Sequence, residues 1–381
     1  MTTSTTSAGD RVGSDWVALA RELAPRFAAR AAQHDADDAF VADNYRELRE
    51  RRVFSCAVPA ELGGGGASLA ELAAILRVLA QSCGSTALAL AMHMHQVAIA
   101  TWRWRHDGAP VDALLRRIAR EELVLVTSGG SDWLAGSGKA ERVEGGYRVT
   151  ARKVFASGCP VGDLFMTMAV YEDPETGPTV LHVVVPFDAP GVERKDNWRT
   201  LGMRGTGSHD VVLDNVFVPE VAVGVRRPAG RWSPAWHVVA TLALPLIFSV
   251  YVGVAEGART IALRHAAGRR TDAAVQQLVG RMDTELATAR MALRHMLDAA
   301  ASGHIAAETT NEVVMGRTVV GGAAIGTVEL AMEVAGGAGF FRDAGLERLF
   351  RDVQGARYHP LREHAQQLYT GRLALGVDLN G

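Results

Sequence analysis

Apolar side chains recur with the period of an α-helix from about residue 16 to residue 112. The clearest stretch, 68–79, begins at Ser68 with Glu71 three residues later, a pair typical of the capping box at a helix start. A glycine-rich segment, 58–66, separates this stretch from an earlier helical one. The pattern predicts an N-terminal domain of helices.

The period changes to two between about residue 122 and residue 223, as in β-strands. The segment 141–155 predicts a hairpin that turns at Gly145-Gly146. The other predicted strands are 123–126, 164–171, 179–186 and 211–218. This spacing predicts an antiparallel sheet or small barrel in the middle of the chain.

Helical periodicity returns at about residue 233 and continues toward the C-terminus. One segment, 238–255, is uncharged and predicts either a membrane-spanning helix or a helix buried on all sides. We favour the buried helix, because no other segment has a membrane-like pattern. The fold class is therefore α+β. The expected regions are a flexible tail (1–14), an N-terminal helical domain (15–120), a middle β domain (121–230) and a C-terminal helical domain (231–381).

Composition narrows the possible functions. The 381 residues carry 40 basic and 42 acidic side chains without a long run of either sign, which excludes a general electrostatic grip on nucleic acid. Hydrophobic residues make up 48% of the chain, enough for a large core. The three cysteines are far apart and form neither a disulfide framework nor a zinc site, so we expect a reducing, cytoplasmic location.

Three loops rich in glycine and hydroxyl groups lie at the ends of predicted strands. They are 127–133, 156–158 and 204–208. Such loops offer backbone N–H groups and hydroxyls to polar ring edges and anions, and Trp133 could stack on a planar ligand. Tight turns alone would explain the loops about equally well.

Common catalytic signatures are absent from the sequence, which has no GxGxxG after a strand, no GxxxxGK[ST], no GxSxG and no HExxH. His93, His95 and His106 lie on or near one predicted helix. They have no suitably placed carboxylate or thiol partner, so no metal site is expected. Pocket lining or ordinary packing is the expected role of these histidines.

The chain resembles the acyl-CoA dehydrogenase superfamily of flavoproteins from about residue 16 to residue 376. The resemblance is carried by VPAELGG (58–64), GSD (130–132), KVFAS (153–157), LGMRGT (201–206), GGAGF (336–340) and LERLFRD (346–352), in the family's order. It implies a helical domain, a middle β domain and a C-terminal four-helix bundle. It also implies a flavin between the last two domains and a homotetramer or homodimer.

The chain departs from the family's dehydrogenases at the catalytic base. Those enzymes use a glutamate, usually eight or nine residues after the arginine that corresponds to Arg351. Here these positions hold His359 and Pro360, and the family's alternative position, near Ala243, has no acid either. Dehydrogenation without a base has no proton acceptor. Glu363 could replace the base only if its helix were shifted.

A second departure concerns the cofactor. The family's RxxFG motif reads RRTDA at 269–273. Arg269, which can meet a phosphate, is kept, but Asp272 replaces the aromatic residue that packs on FAD. This favours reduced FMN, with FAD as a possible alternative.

Both departures are typical of the family's flavin-dependent monooxygenases of the dibenzothiophene monooxygenase type, with the sugar N-oxygenases nearby. That branch resembles this chain in a histidine at His359, a serine at Ser157 and TGSHDV at 206–211. The resemblance implies a two-component enzyme that oxygenates a small organic substrate with O2 and flavin reduced by a separate NAD(P)H flavin reductase. Two alternatives stay open: an acyl-CoA or acyl-carrier dehydrogenase with FAD and an atypical base, and a non-catalytic flavin-fold protein.

The resemblance also implies roles for single residues. Ser157 lies near flavin N5, and His359 acts on the bound oxygen or on the substrate. His93 and Tyr358 are candidates for the substrate pocket. The other expected cofactor contacts are Ser131 at the pyrimidine edge, Trp133, Gly336, Gly337 and, from a partner subunit, Arg269 at the phosphate.

Overall fold

The computed structural model describes residues 15–130 and 132–380, and their elements follow in the order helices, sheet, helices. The expected tail, 1–14, lies outside these described residues, as does Ser131. The change from helix to strand falls between Glu121 and Leu125, and the change back falls between Pro228 and Pro234. The α+β fold class, with helical domains on either side of a sheet domain, is thereby confirmed.

The N-terminal region contains five helices, of which the fourth is deeply buried in its first half. The helices are α1 (Trp16–Ala36), α2 (Ala42–Glu50), α3 (Leu69–Ala80), α4 (Gly84–His106) and α5 (Asp112–Glu121). The predicted capping box starts α3: the Ser68 hydroxyl accepts from the backbone of Glu71, and the Glu71 carboxylate accepts from the backbone of Ser68. The first half of α4 is buried on almost every side, which places its few polar side chains inside the protein.

The middle region is a sheet of eight strands. The strands are β1 (Leu125–Thr127), β2 (Lys139–Val143), β3 (Gly146–Lys153), β4 (Leu164–Asp173), β5 (Gly177–Pro186), β6 (Val192–Arg194), β7 (Val211–Pro219) and β8 (Val223–Pro228). Their order is β6-β7-β3-β2-β4-β5-β8, and β2 and β3 form the predicted hairpin. Most ladders are antiparallel, but β1 and β2 share one edge of β4, end to end, and both run parallel to it. The sheet is therefore mixed. β1 and β4 can run parallel because the hairpin of β2 and β3 lies between them in the chain.

Three long helices dominate the C-terminal region. They are α6 (Pro234–Ala266), α7 (Ala273–Ala301) and α8 (Ala307–Ala335), followed by the shorter α9 (Leu346–Val353) and α10 (Glu363–Ala374). Every residue of α6 from Thr241 to Ala258 is buried, because α3, α4, α7, α8 and α9 surround it. Gly253 permits the approach of α3, since an ideal Cβ there would lie 2.3 Å from the carbonyl oxygen of Arg77.

Two helical segments, Pro234–Arg269 and Ala307–Phe340, are long and apolar enough to cross a membrane. The most apolar window of the first is 89% buried inside the protein, and that of the second is 61% buried. The uncharged segment 238–255 lies within the first, so packing inside the core accounts for its composition. The expectation of a buried helix is confirmed.

Two adjacent charged residues tie α9 to both other regions. Arg351 donates to the carboxylate of Asp35 on α1, with 3.0 Å between Nη1 and Oδ1. Asp352, which is 2% exposed, accepts a hydrogen bond of 2.5 Å from the backbone N–H of Met203 in the loop before β7. An ideal Cβ on Gly202 would lie 2.3 Å from the carbonyl oxygen of Arg351, so glycine is needed at this contact. The end of α9 is thereby fixed relative to the sheet.

The buried Asp352 should make stability depend on pH. Burial raises the pKa of this carboxyl to about 6, against the opposing charge of Arg348 and the hydrogen bond from Met203. The folded chain therefore holds a proton that the unfolded chain has released, and this stabilisation is lost as the pH rises through about 6. Urea unfolding gives the free energy of unfolding at about pH 5 and at about pH 7.5. The decrease in this free energy between the two pH values should be about 1.4 kcal/mol smaller in Asp352→Asn than in the wild type. Asp188→Asn, at an exposed position, should keep the wild-type dependence. Equal dependence in Asp352→Asn and the wild type would contradict this assignment.

Candidate functional site

Two of the three glycine- and hydroxyl-rich loops, 156–158 and 204–208, are joined by a chain of hydroxyl groups. Ser157 Oγ lies 2.7 Å from Ser208 Oγ, which lies 2.7 Å from Thr206 Oγ1. Thr206 donates to the carbonyl of Met203, so Ser208 donates to Thr206 and Ser157 donates to Ser208. The proton of Ser157 is thus used inside the protein. Its oxygen and its backbone N–H, which bonds no described residue, are left for a ligand.

The described residues of the third loop, 127–133, lie against the other two loops. An ideal Cβ on Gly130 would lie 3.8 Å from Cδ2 of Phe155, two residues before Ser157. Phe155 has a left-handed backbone (φ 65°), which turns the chain sharply after β3. The described residues of the three loops therefore lie at one place. Ser131, expected at the pyrimidine edge of a flavin, lies outside them.

A buried ion pair holds the third loop to the end of β3. Lys153 is 1% exposed, and its Nζ lies 2.9 Å from Asp132 Oδ2 and 2.8 Å from the carbonyl oxygen of Ser137. Burial opposes ionisation of Asp132, but the charge and hydrogen bond of Lys153 outweigh it, and the pKa of Asp132 falls below its usual value. The same burial lowers the pKa of Lys153. The pair thereby anchors the third loop to Lys153, which lies four residues before Ser157 in the chain.

Trp133 packs into an aromatic cluster at the start of α6. Its ring lies edge-on to Trp232 and Trp236, with centroids 5.0 and 5.1 Å away. Its carbonyl accepts a hydrogen bond of 2.8 Å from Arg227, which is 3% exposed. These contacts give the ring a packing role. Its expected contact with a flavin stays a prediction.

His359 lies just after α9 and is held at both its ring and its backbone. Its Nε2 is 2.6 Å from the hydroxyl of Tyr251 on α6, and its carbonyl accepts a hydrogen bond of 2.7 Å from Arg317 on α8. Burial, with smaller contributions from Arg317 and His95, lowers the pKa of His359 to about 3. The imidazole is therefore neutral near neutral pH.

His95 and Gln96 connect the surroundings of His359 to the third loop. The Nε2 atoms of His95 and Gln96 are 2.9 Å apart, and that of Gln96 lies 3.2 Å from Thr127 Oγ1. His95 also contributes to the lowered pKa of His359, so the two histidines lie in the same part of the protein. The sequence did not single out Gln96, Tyr251 or Arg317. The available signal was that each is a polar group within a strongly apolar helix.

No carboxylate of the described residues is bonded to His359. Glu363, the first residue of α10, is exposed and accepts from Gln367. The nearest acid on α6 beyond Ala243 is Glu256, which is bonded to Arg77 and Arg290. The absence of a carboxylate base stays a prediction for residues 15–130 and 132–380. The same residues contain no group of three or more His, Cys, Asp or Glu side chains that could hold a metal ion.

The two residues expected in the substrate pocket have other surroundings. His93 is 1% exposed; its Nε2 lies 2.7 Å from the carbonyl oxygen of Phe54, and its Nδ1 accepts from the backbone of Leu125. Both ring nitrogens therefore join α4 to its neighbours, and none is left for a substrate. Tyr358 is 65% exposed and lies beside His359 in sequence. Its role stays a prediction, whereas a substrate contact does not fit His93.

A separate site lies at the end of α8. Arg269 donates to the carbonyl of Val334 (2.6 Å), and an ideal Cβ on Gly336 (φ 65°) would lie 3.7 Å from Nη1 of Arg269. An open cleft of about 710 Å³ lies close by. It is lined by Arg264, His265, Ala338, Phe341, Asp343 and Ala344. Arg269 and Gly336 thus lie side by side, and their expected contacts with a cofactor, like that of Gly337, stay predictions.

Three family models match the chain. They describe the acyl-CoA dehydrogenase N-terminal domain at 16–122, the middle domain at 127–216 and the C-terminal domain at 245–359. The amino sugar nitrososynthase RubN8 of Streptomyces rubradiris is 30% identical, over 99% of this chain and 92% of the relative. Cyclohex-1-ene-1-carbonyl-CoA dehydrogenase of Geobacter metallireducens is 28% identical, over 93% and 94%.

Solved structures agree with these relatives. The structure of KijD3 in complex with FMN and dTDP-3-amino-2,3,6-trideoxy-4-keto-3-methyl-D-glucose has a TM-score of 0.87 and 28% identity, and covers 98% of this chain and 97% of that one. Dibenzothiophene monooxygenases also occur among the relatives and the similar structures. The resemblance identified from the motifs is thereby confirmed. The chain belongs to the acyl-CoA dehydrogenase family of flavin oxidoreductases.

Proposed function

We propose that the chain is a flavin-dependent monooxygenase. It would bind reduced FMN, delivered by a separate NAD(P)H flavin reductase, and use O2 to oxygenate a small organic substrate. The observation that carries this proposal is His359, a neutral imidazole where the family's dehydrogenases need a carboxylate. A histidine with so low a pKa is a poor proton acceptor for dehydrogenation but a good neutral hydrogen-bond partner.

The polar groups of Ser157 fit a reduced flavin. The reduced ring presents an N–H at N5 beside the carbonyl at C4. Ser157 offers the complementary pair, an oxygen whose proton already points to Ser208 and a backbone N–H that bonds no described residue. An oxidised ring, which has an acceptor at N5, fits this oxygen less well.

The phosphate would lie near Arg269 and Gly336. A guanidinium beside a glycine backbone suits an anion, and the cleft there is open to solvent. Phe340 and Phe341 are 83% and 71% exposed next to it. We propose that a second copy of the chain covers this surface, and that Arg269 serves the flavin of that copy in a homodimer or homotetramer.

The chemistry divides between the flavin and the protein. Bound reduced flavin would supply the two electrons that convert O2 and substrate into oxygenated product and water. His359 would hold the oxygen or the substrate by a hydrogen bond, and Tyr251 and Phe248 would exclude water on its inner side. Ser157 would orient the flavin ring. A cytoplasmic location, where NAD(P)H is present, belongs to this proposal.

An amine carried by a sugar is the substrate class that we propose. The support is similarity: amino sugar nitrososynthases match nearly the whole chain, and KijD3 was solved with an amino sugar nucleotide. N-oxygenation of an amine needs an oxygen donor and no carbon-bound proton abstraction, which agrees with the missing carboxylate. Dehydrogenation of an acyl thioester is the competing function, since a CoA dehydrogenase is also a relative.

Anaerobic titration followed by an oxygen pulse tests the function. The protein should bind reduced FMN at micromolar concentration, and the pulse should oxygenate an amino sugar nucleotide such as the ligand of KijD3. Tight FAD that an acyl thioester reduces without oxygen would instead establish a dehydrogenase. Failure to bind any flavin would support a non-catalytic protein.

His359→Ala should uncouple electron use from oxygenation. Loss of one hydrogen bond to the reacting oxygen should slow oxygenation relative to peroxide release by roughly tenfold. Most electrons should then appear as hydrogen peroxide. The measurement is peroxide released per reduced FMN consumed. His364→Ala, an exposed histidine five residues away, should behave as the wild type. Unchanged coupling in His359→Ala would remove this residue from the reaction.

Ser208→Ala should weaken the preference for reduced flavin. Without Ser208 the Ser157 hydroxyl is free to donate, so it can also serve the acceptor of an oxidised ring. The ratio of the dissociation constants for oxidised and reduced FMN should fall about fivefold, the worth of one hydrogen bond. Ser128→Ala, whose hydroxyl pairs with Thr167 instead, is the matched control. An unchanged ratio in Ser208→Ala would contradict the assigned direction of the hydroxyl chain.

A further inference from the structure

We propose that Tyr251 is a positioning residue that holds His359 in one tautomer, with the proton on Nδ1. His359 would then act as a hydrogen-bond donor through Nδ1, and not as a base. The tautomer follows from the protein's own contacts. Only the identity of the group that receives the Nδ1 hydrogen bond rests on the proposed function.

The direction of the hydrogen bond follows from the burial of Tyr251. This side chain is fully buried, and its hydroxyl has one partner among the described residues, Nε2 of His359 at 2.6 Å. If Nε2 carried the proton and donated, the phenol proton would be buried without an acceptor, which is costly. If the phenol donates, both groups are satisfied. Nε2 is then the acceptor, and a neutral imidazole must carry its proton on Nδ1.

The phenol is also the group that keeps its proton. Burial strongly raises the pKa of Tyr251, and burial with nearby positive charge lowers the pKa of His359 to about 3. The charge of Arg317 and the neighbouring His95 also lower the pKa of His359, and the charge of Asp352 raises that of Tyr251. A neutral phenol facing a neutral imidazole is therefore the stable pair over the pH range of most enzymes.

The surrounding backbone leaves the pair little freedom. An ideal Cβ on Gly355 would lie 2.7 Å from the hydroxyl oxygen of Tyr251, so only a glycine lets the phenol reach His359. Arg317 donates 2.7 and 3.0 Å hydrogen bonds to the carbonyls of His359 and Ala356. The backbone of His359 is thus fixed from one side and its ring from another. Arg317 lies on α8 and His359 follows α9, and the packing of these two helices brings the two residues together.

The other ring nitrogen is available. Nδ1 of His359 has no hydrogen-bond partner in the described part of the chain, and the residue as a whole is only half-buried. A donor N–H held in one direction can stabilise an oxygen atom that carries developing negative charge. A freely exchanging tautomer would present that N–H only part of the time. Tyr251 would therefore act through His359 without touching the reacting atoms.

Nitrogen NMR of histidine-labelled protein tests the tautomer without any turnover. The His359 signals, identified by their loss in His359→Gln, should show a protonated Nδ1 and an unprotonated Nε2 in the wild type. In Tyr251→Phe the signals should move toward a mixture of both tautomers. Tyr369→Phe is the matched control, because Tyr369 is also a buried phenol that donates to a single acceptor, the carbonyl of Ala307. A protonated Nε2 in the wild type, or an unchanged spectrum in Tyr251→Phe, would overturn the proposal.

Two substitutions at His359 test the donor role. An asparagine amide places its N–H near the position of Nδ1, whereas a glutamine amide places it near Nε2. With reduced FMN and an oxygen pulse, His359→Asn should keep the peroxide yield within about threefold of the wild type, and His359→Gln should resemble His359→Ala. The reverse order would overturn the donor role. If the wild type binds no reduced FMN, the proposed function fails while the NMR result still decides the tautomer.

Discussion

The pairing of Arg351 and Asp352 with two distant parts of the chain is the contact on which the site depends. Arg351 reaches Asp35 in the first helix, and Asp352 receives the backbone N–H of Met203 beside the hydroxyl chain. Both residues leave water to make these contacts, so the site keeps its shape only while each finds its partner. Because His359 follows Asp352 by seven residues, the same contacts place the histidine.

His359 itself is a neutral hydrogen-bonding group. Burial and the charge of Arg317 lower the proton affinity of the imidazole, and Tyr251 occupies one of its nitrogens. A neutral imidazole in a partly dry environment favours reactions in which hydrogen bonds stabilise oxygen, and disfavours removal of a proton from carbon. This is the physical difference that separates the proposed oxygenase from the family's dehydrogenases.

Near Ser157, the charged side chains of Lys153 and Asp132 are paired with each other. Lys153 and Asp132 lie inside the protein and bind each other, which anchors two loops to the end of one strand. The hydroxyls of Ser157, Ser208 and Thr206 then point in one direction, because the last of them meets a carbonyl. A fixed direction of hydroxyl protons gives the site a preference between ligands that differ by one proton. Such a preference is useful to a protein that must take up a cofactor in one redox state.

The sequence by itself determined the order of helices and strands and the buried character of 238–255, because periodicity and residue identity are local properties. Only the tertiary structure decided that His93 is used up by Phe54 and Leu125, that β1 and β2 share an edge of β4, and that Tyr251 meets His359. Those facts join residues far apart in the chain, and a histidine's role depends on which partner takes each of its nitrogens. No spacing in the sequence encodes that choice.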